Sequence, residues 1–167
     1  PQDMVNLYGK AMPKVTSKDM EVIRIGPKLH TLGVNYYCGK INKWDKAAEL
    51  GYTQYSDKNG PTNDLGWPIC IPPTYPEGLY DMLQQLWFSY KMYGLKHVYI
   101  TENGMALKSE WDGRSSLVAD DRRVQYYKEH LKQVHKAIRR GIPVEGYFAW
   151  TLMDNYEWAE GYRPESA

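Results

Sequence analysis

The feature that most constrains this fold is an alternation of short apolar runs with two helix-length segments. Residues 77–93 carry leucines at helical spacing, and Gly94 follows them as a stop signal. The second segment starts at Asp120 or Asp121 and closes on two arginines and Gly141, which suit the carboxyl end of a helix. This order of elements predicts right-handed βαβ units and a parallel sheet, which is an α/β fold.

The predicted elements can be placed along the chain from their periodicity. Strands are expected within residues 29–37, 98–101 and 144–150. The apolar face of the first long helix comprises Leu79, Leu83, Leu86 and Tyr90. The apolar face of the second comprises Val124, Tyr127, Leu131, Val134 and Ile138. Residues 38–76 are rich in Gly and Pro without a sustained period, so a long loop with little regular structure is expected there.

A short helix is predicted near the start of the chain. Thr16 can cap it, and Asp19 can reach back as the acidic member of a capping box. The segment then leads into the first predicted strand.

A carboxylate stands at the carboxyl end of the middle predicted strand. Glu102 directly follows the apolar run 98–101, while Tyr37 and Trp150 end the two flanking strands. Taken singly, such a carboxylate is more often a solvated loop residue or a helix cap, and such aromatics are more often core residues. In parallel α/β folds, however, reactive groups collect where strands end. The strand ends therefore indicate a candidate site centred on Glu102.

Composition and charge exclude several classes of function. The formal charge is +1 and no basic stripe stands out, so no nucleic-acid partner is expected. No apolar run reaches the length of a membrane span, so no membrane partner is expected either. The four histidines lack metal-ligand spacing, and neither a metal nor a cofactor is predicted. Cys38 and Cys70, with no secretory signal, favour a reducing compartment, the cytoplasm.

The segments around the three strand ends resemble glycoside hydrolase family 1, the β-glucosidases and their relatives. Residues 100–104 read Ile-Thr-Glu-Asn-Gly, which is similar to the nucleophile signature of the family. Residues 32–37, Leu-Gly-Val-Asn-Tyr-Tyr, resemble its sixth barrel strand, and residues 146–162 resemble its eighth strand and sugar-binding loop. The resemblance covers nearly the whole chain. It implies the C-terminal portion of a (β/α)8 TIM barrel, about strands 6 to 8, as one partial domain over residues 1–167.

The resemblance also implies which side chains carry the chemistry. A retaining glycosidase needs one carboxylate that attacks the anomeric carbon and one carboxylic acid, about 5 Å away, that protonates the leaving oxygen. By comparison with the family, Glu102 is the catalytic nucleophile and Tyr37 donates a hydrogen bond to its charged form. The matching substrate-binding positions are Asn35, Trp150, Glu157 and Trp158.

These positions imply an unphosphorylated β-glucosyl substrate. A glucosyl ring has an apolar face and a rim of hydroxyls, so an aromatic platform with bidentate acceptors suits it. Trp150 resembles the family's platform, and Glu157 with Trp158 resembles the pair around the outer hydroxyls. Relatives that take 6-phosphorylated sugars use an uncharged residue at the glutamate position because a carboxylate repels phosphate. A β-glucoside or short β-linked oligosaccharide is therefore the expected substrate.

One half of the family's catalytic pair has no counterpart in this sequence. The family's general acid/base lies in a Thr-x-Asn-Glu-Pro segment of the fourth strand, and no such segment occurs in these 167 residues. We expect an N-terminal remainder of the barrel to supply it and expect this chain alone to be inactive. The alternatives are a catalytically inactive sugar-binding module and a fragment that only completes a barrel.

Overall fold

A computed structural model of the chain describes residues 6, 8–9, 12–25, 30–39, 42–54, 75–105, 120–153 and 155–156. The chain divides into two compact units. The smaller unit comprises residues 1–28 and 40–56, and the larger unit comprises residues 29–39 and 57–167. The predicted site residues lie in the larger unit.

The described residues of the smaller unit include a helix and a β-hairpin. Helix α1, Ser17–Ile25, begins with the predicted capping box. The Asp19 N–H donates to Thr16 Oγ1 at 3.2 Å, and the Thr16 N–H donates to Asp19 Oδ2 at 2.8 Å. The Thr16 hydroxyl also donates to Asp19 Oδ2 at 2.6 Å, and this bond, followed by the one from the Thr16 N–H, lowers the pKa of Asp19 below its ordinary value.

The hairpin of the smaller unit lies in the region for which little regular structure was expected. Strands β2, Asn42–Trp44, and β3, Tyr52–Gln54, pair antiparallel. Gly51 lies just before β3 with a φ of 71°, a left-handed conformation that favours glycine. Three residues are too few to display a two-residue period, which is why the sequence pattern missed these strands.

The larger unit has the predicted parallel α/β architecture. Its strands are β1, Thr31–Asn35, β4, His97–Asn103, and β5, Val144–Ala149, which form a parallel sheet in the order β1-β4-β5. Helix α2, Pro76–Tyr90, continues into a 3-10 turn, Lys91–Tyr93, and precedes β4, while helix α3, Asp121–Arg139, connects β4 to β5.

Both helices end at the glycines that the sequence indicated. Gly94 follows the 3-10 turn with a φ of 100°, and Gly141 follows α3 with a φ of 79°. At the other end of α3, Asp120 caps the helix by accepting a hydrogen bond from the Arg123 N–H at 3.4 Å. These local signals therefore set where the crossover helices start and stop.

The two helices pack against one face of the sheet, and the opposite face carries exposed side chains. The core beneath the helices includes fully buried Leu79, Leu83, Val98, Ile100 and Ala137. The opposite face, which we call the open face, exposes Thr31, Asn35, Thr101, Glu145 and Phe148. The sheet is thus two-sided, and its polar strand ends emerge on the open side.

The apolar face predicted for α3 is wrong at three of its five positions, while Val134 is buried and Tyr127 is half-buried as predicted. Val124, Leu131 and Ile138 are 64%, 45% and 48% exposed, so these three side chains do not pack on the sheet. The residues of α3 that are buried are Tyr126, His130, Val134 and Ala137. The Tyr126 hydroxyl is bonded to the sheet segments, and His130 Nδ1 is bonded to the helix backbone, which counting apolar residues could not detect.

Candidate active site

An extra residue in β4 determines where Glu102 points. Val98 and Ile100 are fully buried beneath the helices, and strict alternation would place Glu102 on the same side, in the apolar core. The pairing of β4 with both neighbouring strands shifts register after Ile100. Asn103, which is 0% exposed, takes the buried side instead, and Thr101 and Glu102 both bond to side chains of the β1 segment. A bulge of this kind re-aims a side chain.

Glu102 is half-buried and is bonded to a tyrosine on the adjacent strand end. The Tyr37 hydroxyl donates a hydrogen bond to Glu102 Oε2. The main chains are joined at the same level, because the Tyr36 N–H donates to the Glu102 carbonyl at 2.9 Å. A phenol that donates to a carboxylate oxygen orients the carboxylate.

Asn35 lies beside this pair. It is the register partner of Glu102 in the parallel ladder, and its Oδ1 accepts a hydrogen bond from Thr101 Oγ1 at 2.6 Å. The structure therefore brings three predicted site residues, Asn35, Tyr37 and Glu102, to one strand edge. Their individual catalytic and binding roles stay predictions.

Trp150 is joined to the same edge through its main chain. Its N–H donates to the Asn103 carbonyl at 2.9 Å, and its carbonyl accepts from the Tyr127 hydroxyl at 3.2 Å. A Cβ placed on Gly104 would lie 1.8 Å from the Trp150 carbonyl oxygen, so the close approach of the two segments requires glycine at 104. The half-buried Trp150 is thus held next to the strand that carries Glu102.

A buried hydrogen-bond network lies on the other side of the sheet from Glu102. Asn103 Nδ2 donates to the Tyr36 carbonyl at 2.6 Å and to the Tyr126 hydroxyl at 2.9 Å. Asn103 Oδ1 accepts from the Tyr147 hydroxyl, and the Tyr126 hydroxyl donates to the Tyr37 carbonyl at 2.7 Å. Burial raises the pKa of Tyr147, which keeps its hydroxyl a donor.

Sequence reasoning assigned no role in the site to Asn103, Tyr126 and Tyr147. Asn103 was part of the quoted motif without a role, and Tyr127 was assigned to an apolar face while Tyr126 was not. The only local signal is an amide that directly follows Glu102 in a short apolar strand. No periodicity links that amide to a tyrosine 23 residues later on a helix.

Two predicted substrate-binding residues, Glu157 and Trp158, lie outside the described residues, as does Cys70. Within the described ranges, no group of three or more His, Cys, Asp or Glu side chains is arranged to hold a metal ion. In the same part of the chain, no helix has both the length and the apolar character that a membrane crossing needs.

The described site can supply one oriented carboxylate. Glu102 is reachable from the open face, is bonded through Oε2 to Tyr37, and is flanked by the polar side chains of Asn35 and Thr101. Such a carboxylate can attack an electrophilic carbon or accept hydrogen bonds from hydroxyls. Proton donation to a leaving group requires a second group in addition.

Comparisons with known proteins agree on one family. The sequence profile of glycosyl hydrolase family 1 matches residues 1–165. The β-glucosidase A of Thermotoga maritima is 37% identical over 164 residues, which cover 97% of this chain and 34% of that protein. The 6-phospho-β-galactosidase of Staphylococcus haemolyticus is 34% identical over 167 residues, which cover 89% of this chain and 34% of that protein.

A solved structure shows the same relationship. The Thermotoga maritima family 1 glycoside hydrolase complexed with a cyclophellitol analogue transition state mimic matches with a TM-score of 0.71 and 36% identity. That match covers 97% of this chain and 34% of the solved one. The chain therefore spans about a third of the length of the curated relatives it matches.

Proposed function

This chain belongs to glycosyl hydrolase family 1, and on that premise we propose that it is the C-terminal part of a retaining β-glycosidase with Glu102 as nucleophile. The observation that carries the proposal is the hydrogen bond from the Tyr37 hydroxyl to Glu102 Oε2 at the carboxyl ends of two parallel strands. That is where parallel α/β barrels place their reactive groups.

We assign β1, β4 and β5 to about strands 6 to 8 of a TIM barrel. Two features support this placement: the strands are parallel and sequential, and both helices cover the same face of the sheet. A barrel wall has this arrangement, with helices outside and the opposite face lining the interior. The open face, with Asn35, Thr101 and Phe148, would then line the barrel interior.

The proposed reaction proceeds through a covalent glycosyl-enzyme. Because Tyr37 binds Oε2, we assign attack on the anomeric carbon to Glu102 Oε1. The bond from the anomeric carbon to the leaving oxygen breaks as that oxygen takes a proton from an acid about 5 Å from the nucleophile. Water then attacks the same carbon, gives its proton to the conjugate base of that acid and releases Glu102, so the configuration is retained.

The acid/base is proposed to come from an N-terminal remainder of the barrel. General acid/base catalysis is worth about 10² to 10⁴ in rate. We therefore propose that residues 1–167 alone do not turn over unactivated glucosides, and that the complete protein does.

The proposed substrate is a terminal, non-reducing β-D-glucosyl residue without a 6-phosphate. Support comes from Glu157, which resembles the family's glutamate beside the outer hydroxyls of the sugar. Its carboxylate would repel a phosphate. The named relatives include a β-glucosidase and a 6-phospho-β-galactosidase, so this selectivity needs its own measurement. Nitrophenyl β-glucoside should be hydrolysed faster than nitrophenyl 6-phospho-β-galactoside; the reverse order would contradict the assignment.

The nucleophile is tested by trapping. The complete protein is incubated with a 2-deoxy-2-fluoro-β-glucoside that has a good leaving group, digested, and examined by peptide mass spectrometry. The peptide that contains Glu102 should carry the fluoroglucosyl label. Glu102→Gln should abolish labelling while Glu145→Gln, a carboxylate at the other end of the same sheet face, should preserve it. Label on another carboxylate would refute the assignment, and sugar affinity without labelling would favour the sugar-binding module.

A further inference from the structure

The segment that carries Tyr37 leaves the regular β ladder just before the site. Strand β1 ends at Asn35, and the Tyr36 N–H to Glu102 carbonyl bond continues the main-chain pairing by one step. The carbonyls of Tyr36 and Tyr37 accept from side chains instead: from Asn103 Nδ2 at 2.6 Å and from the Tyr126 hydroxyl at 2.7 Å. Hydrogen bonds from side chains thus take the place of main-chain ladder bonds and hold the main chain at Tyr36 and Tyr37.

We propose that Tyr126, on α3, is a positioning residue that fixes the reach of the Tyr37 hydroxyl to Glu102, with Asn103 linking the three. The inference rests on the proposed role of Glu102 as nucleophile. Tyr126 lies on the far side of the sheet from the open face, so it acts on the reaction through Tyr37 and touches no substrate.

The Tyr126 hydroxyl is placed to couple the two strand ends. It accepts from Asn103 Nδ2 at 2.9 Å and donates to the Tyr37 carbonyl at 2.7 Å. Asn103 directly follows Glu102, so the same hydroxyl is connected to the main chains of both members of the Tyr37–Glu102 pair. Both bonds are buried or part-buried, where hydrogen bonds are not weakened by competition from water.

The Tyr126 ring is itself held in place. Tyr126 is 4% exposed, and the ring of His130 stacks on it at a centroid distance of 3.9 Å. His130 Nδ1 lies 2.8 Å from the Tyr126 carbonyl oxygen, and since a carbonyl only accepts, Nδ1 is the donor. Burial lowers the pKa of His130, so the stacked ring stays neutral. A ring packed in this way holds the Tyr126 hydroxyl at a fixed place between α3 and the strand end.

Removing the hydroxyl should therefore loosen Tyr37 without removing it. In Tyr126→Phe the Tyr37 carbonyl loses the hydrogen bond from this hydroxyl, and Asn103 Nδ2 loses its bond to the same hydroxyl. A displacement of about 1 Å at reacting groups can cost up to about 10² in rate. We expect a fall of about 10-fold in the rate of glycosyl-enzyme formation, with sugar affinity little changed.

A double-mutant cycle distinguishes positioning through Tyr37 from a general loss of structure. The rate of inactivation by a dinitrophenyl 2-deoxy-2-fluoro-β-glucoside is measured on the complete protein for Tyr126→Phe, Tyr37→Phe and the double variant. The fall caused by Tyr126→Phe should shrink to less than about 2-fold in the Tyr37→Phe background, because the residue acts through that phenol. Equal falls in both backgrounds, or a parallel loss of glucose affinity, would overturn the proposal.

The matched control is Tyr80→Phe. Tyr80 is a buried tyrosine of α2, 8% exposed, whose ring lies under the Lys136 ammonium at 3.9 Å. The same chemical change there should leave the inactivation rate within about 2-fold of wild type, as for most substitutions that share no partners with the site. If Tyr126→Phe fails to fold, Asn103→Asp, which keeps the shape but removes the Nδ2 donor, should show the same dependence on Tyr37.

A structural readout separates this inference from the proposed function. In a crystal structure of the complete Tyr126→Phe protein, the Tyr37 hydroxyl should lie beyond hydrogen-bond distance of Glu102. If the pair remains bonded, the positioning role is wrong whether or not the protein hydrolyses glucosides. If the wild-type protein takes no label on Glu102, the proposed function is wrong, and the crystal structure still decides whether Tyr126 positions Tyr37.

Discussion

The two ends of the open face of the sheet each hold a carboxylate bonded to aromatic side chains. At the carboxyl ends of the strands, Glu102 accepts from Tyr37. At the amino ends, Glu145 Oε1 lies 2.6 Å from His97 Nδ1, and Glu145 Oε2 accepts from the Tyr99 hydroxyl at 3.0 Å. By these hydrogen bonds alone, Glu145 has more side-chain partners than Glu102.

The two ends differ in the burial and hydrogen bonding of the residues that support each carboxylate. Glu102 is followed by Asn103, which is 0% exposed and bonded to tyrosines from α3 and β5. Glu145 is exposed, and its bond to His97, followed by that to Tyr99, lowers its pKa. A perturbed carboxyl therefore marks a surface ion pair at one end, while a buried support marks the candidate site at the other.

Removing each carboxylate in turn should give the largest difference between the two ends of the sheet. In the complete protein, Glu102→Gln should lower kcat/KM for a nitrophenyl β-glucoside by about 10³-fold or more, because the nucleophile is lost. Glu145→Gln should leave kcat/KM within about 3-fold, as expected for a group outside the site. Similar losses in the two variants would show that the amino end also takes part in the reaction.

The next largest difference is expected at one glycine from each end. In Gly104→Ala the new Cβ would meet the Trp150 carbonyl at 1.8 Å, a main-chain clash that no rotamer relieves. We expect a loss of about 2 to 3 kcal/mol in the free energy of unfolding, measured by urea denaturation, together with weaker glucose binding.

Gly146→Ala is the matched change at the amino end. Its Cβ would lie 2.5 Å from Cδ1 of the Tyr99 ring, and that half-buried ring can turn away. The loss should be clearly smaller, with glucose binding intact. A Gly146→Ala protein as unstable as Gly104→Ala would mean that both ends are equally rigid.

A smaller effect should follow from removing the buried amide. Asn103→Ala leaves the Tyr36 carbonyl and the hydroxyls of Tyr126 and Tyr147 without this partner. Unsatisfied buried groups of this kind cost about 1 to 3 kcal/mol, and we expect a total of about 2 kcal/mol in urea denaturation. His97→Ala, at the exposed ion pair, should be much closer to wild type; the opposite ranking would invert the comparison.

The smallest effect concerns pH. Bonding to His97 and Tyr99 lowers the pKa of Glu145 from its ordinary value of 4.5 in the folded protein. The stabilisation is thus complete above pH 4.5 and is lost as the pH falls through the lowered pKa. The difference in Tm between wild type and Glu145→Gln should be at most about 2 °C at pH 7 and shrink in acid. A difference that grows as the pH falls from 4.5 through the lowered pKa of Glu145 would contradict the stabilising role of these bonds.

How much could be predicted from the sequence depended on how local the signal was. The capping box of Thr16 and Asp19 and the stops at Gly94 and Gly141 are fixed by a few neighbouring residues, and the structure confirms them. The parallel order of β1, β4 and β5 followed from the alternation of elements and is also confirmed. The hairpin within 38–76 was missed because its strands are three residues long.

The site residues also differ in how local their sequence signal was. The motif around Glu102 identified the strand end, and the structure brings Tyr37 and Asn35 to it. The predicted face of α3 was wrong at Val124, Leu131 and Ile138, and it left out Tyr126, which is buried with hydrogen bonds to Asn103 and Tyr37. The roles of Glu157 and Trp158 stay predictions.

Propensity, caps and a short motif are written in consecutive residues, so the sequence alone predicted the two long helices, the three parallel strands and the family. Only the tertiary structure decided which way Glu102 faces. Strict alternation from Val98 and Ile100 would have buried it, and the extra residue in β4, read against two neighbouring strands, turned it towards Tyr37 instead. That reversal depends on pairing between segments far apart in the chain, which no local pattern encodes.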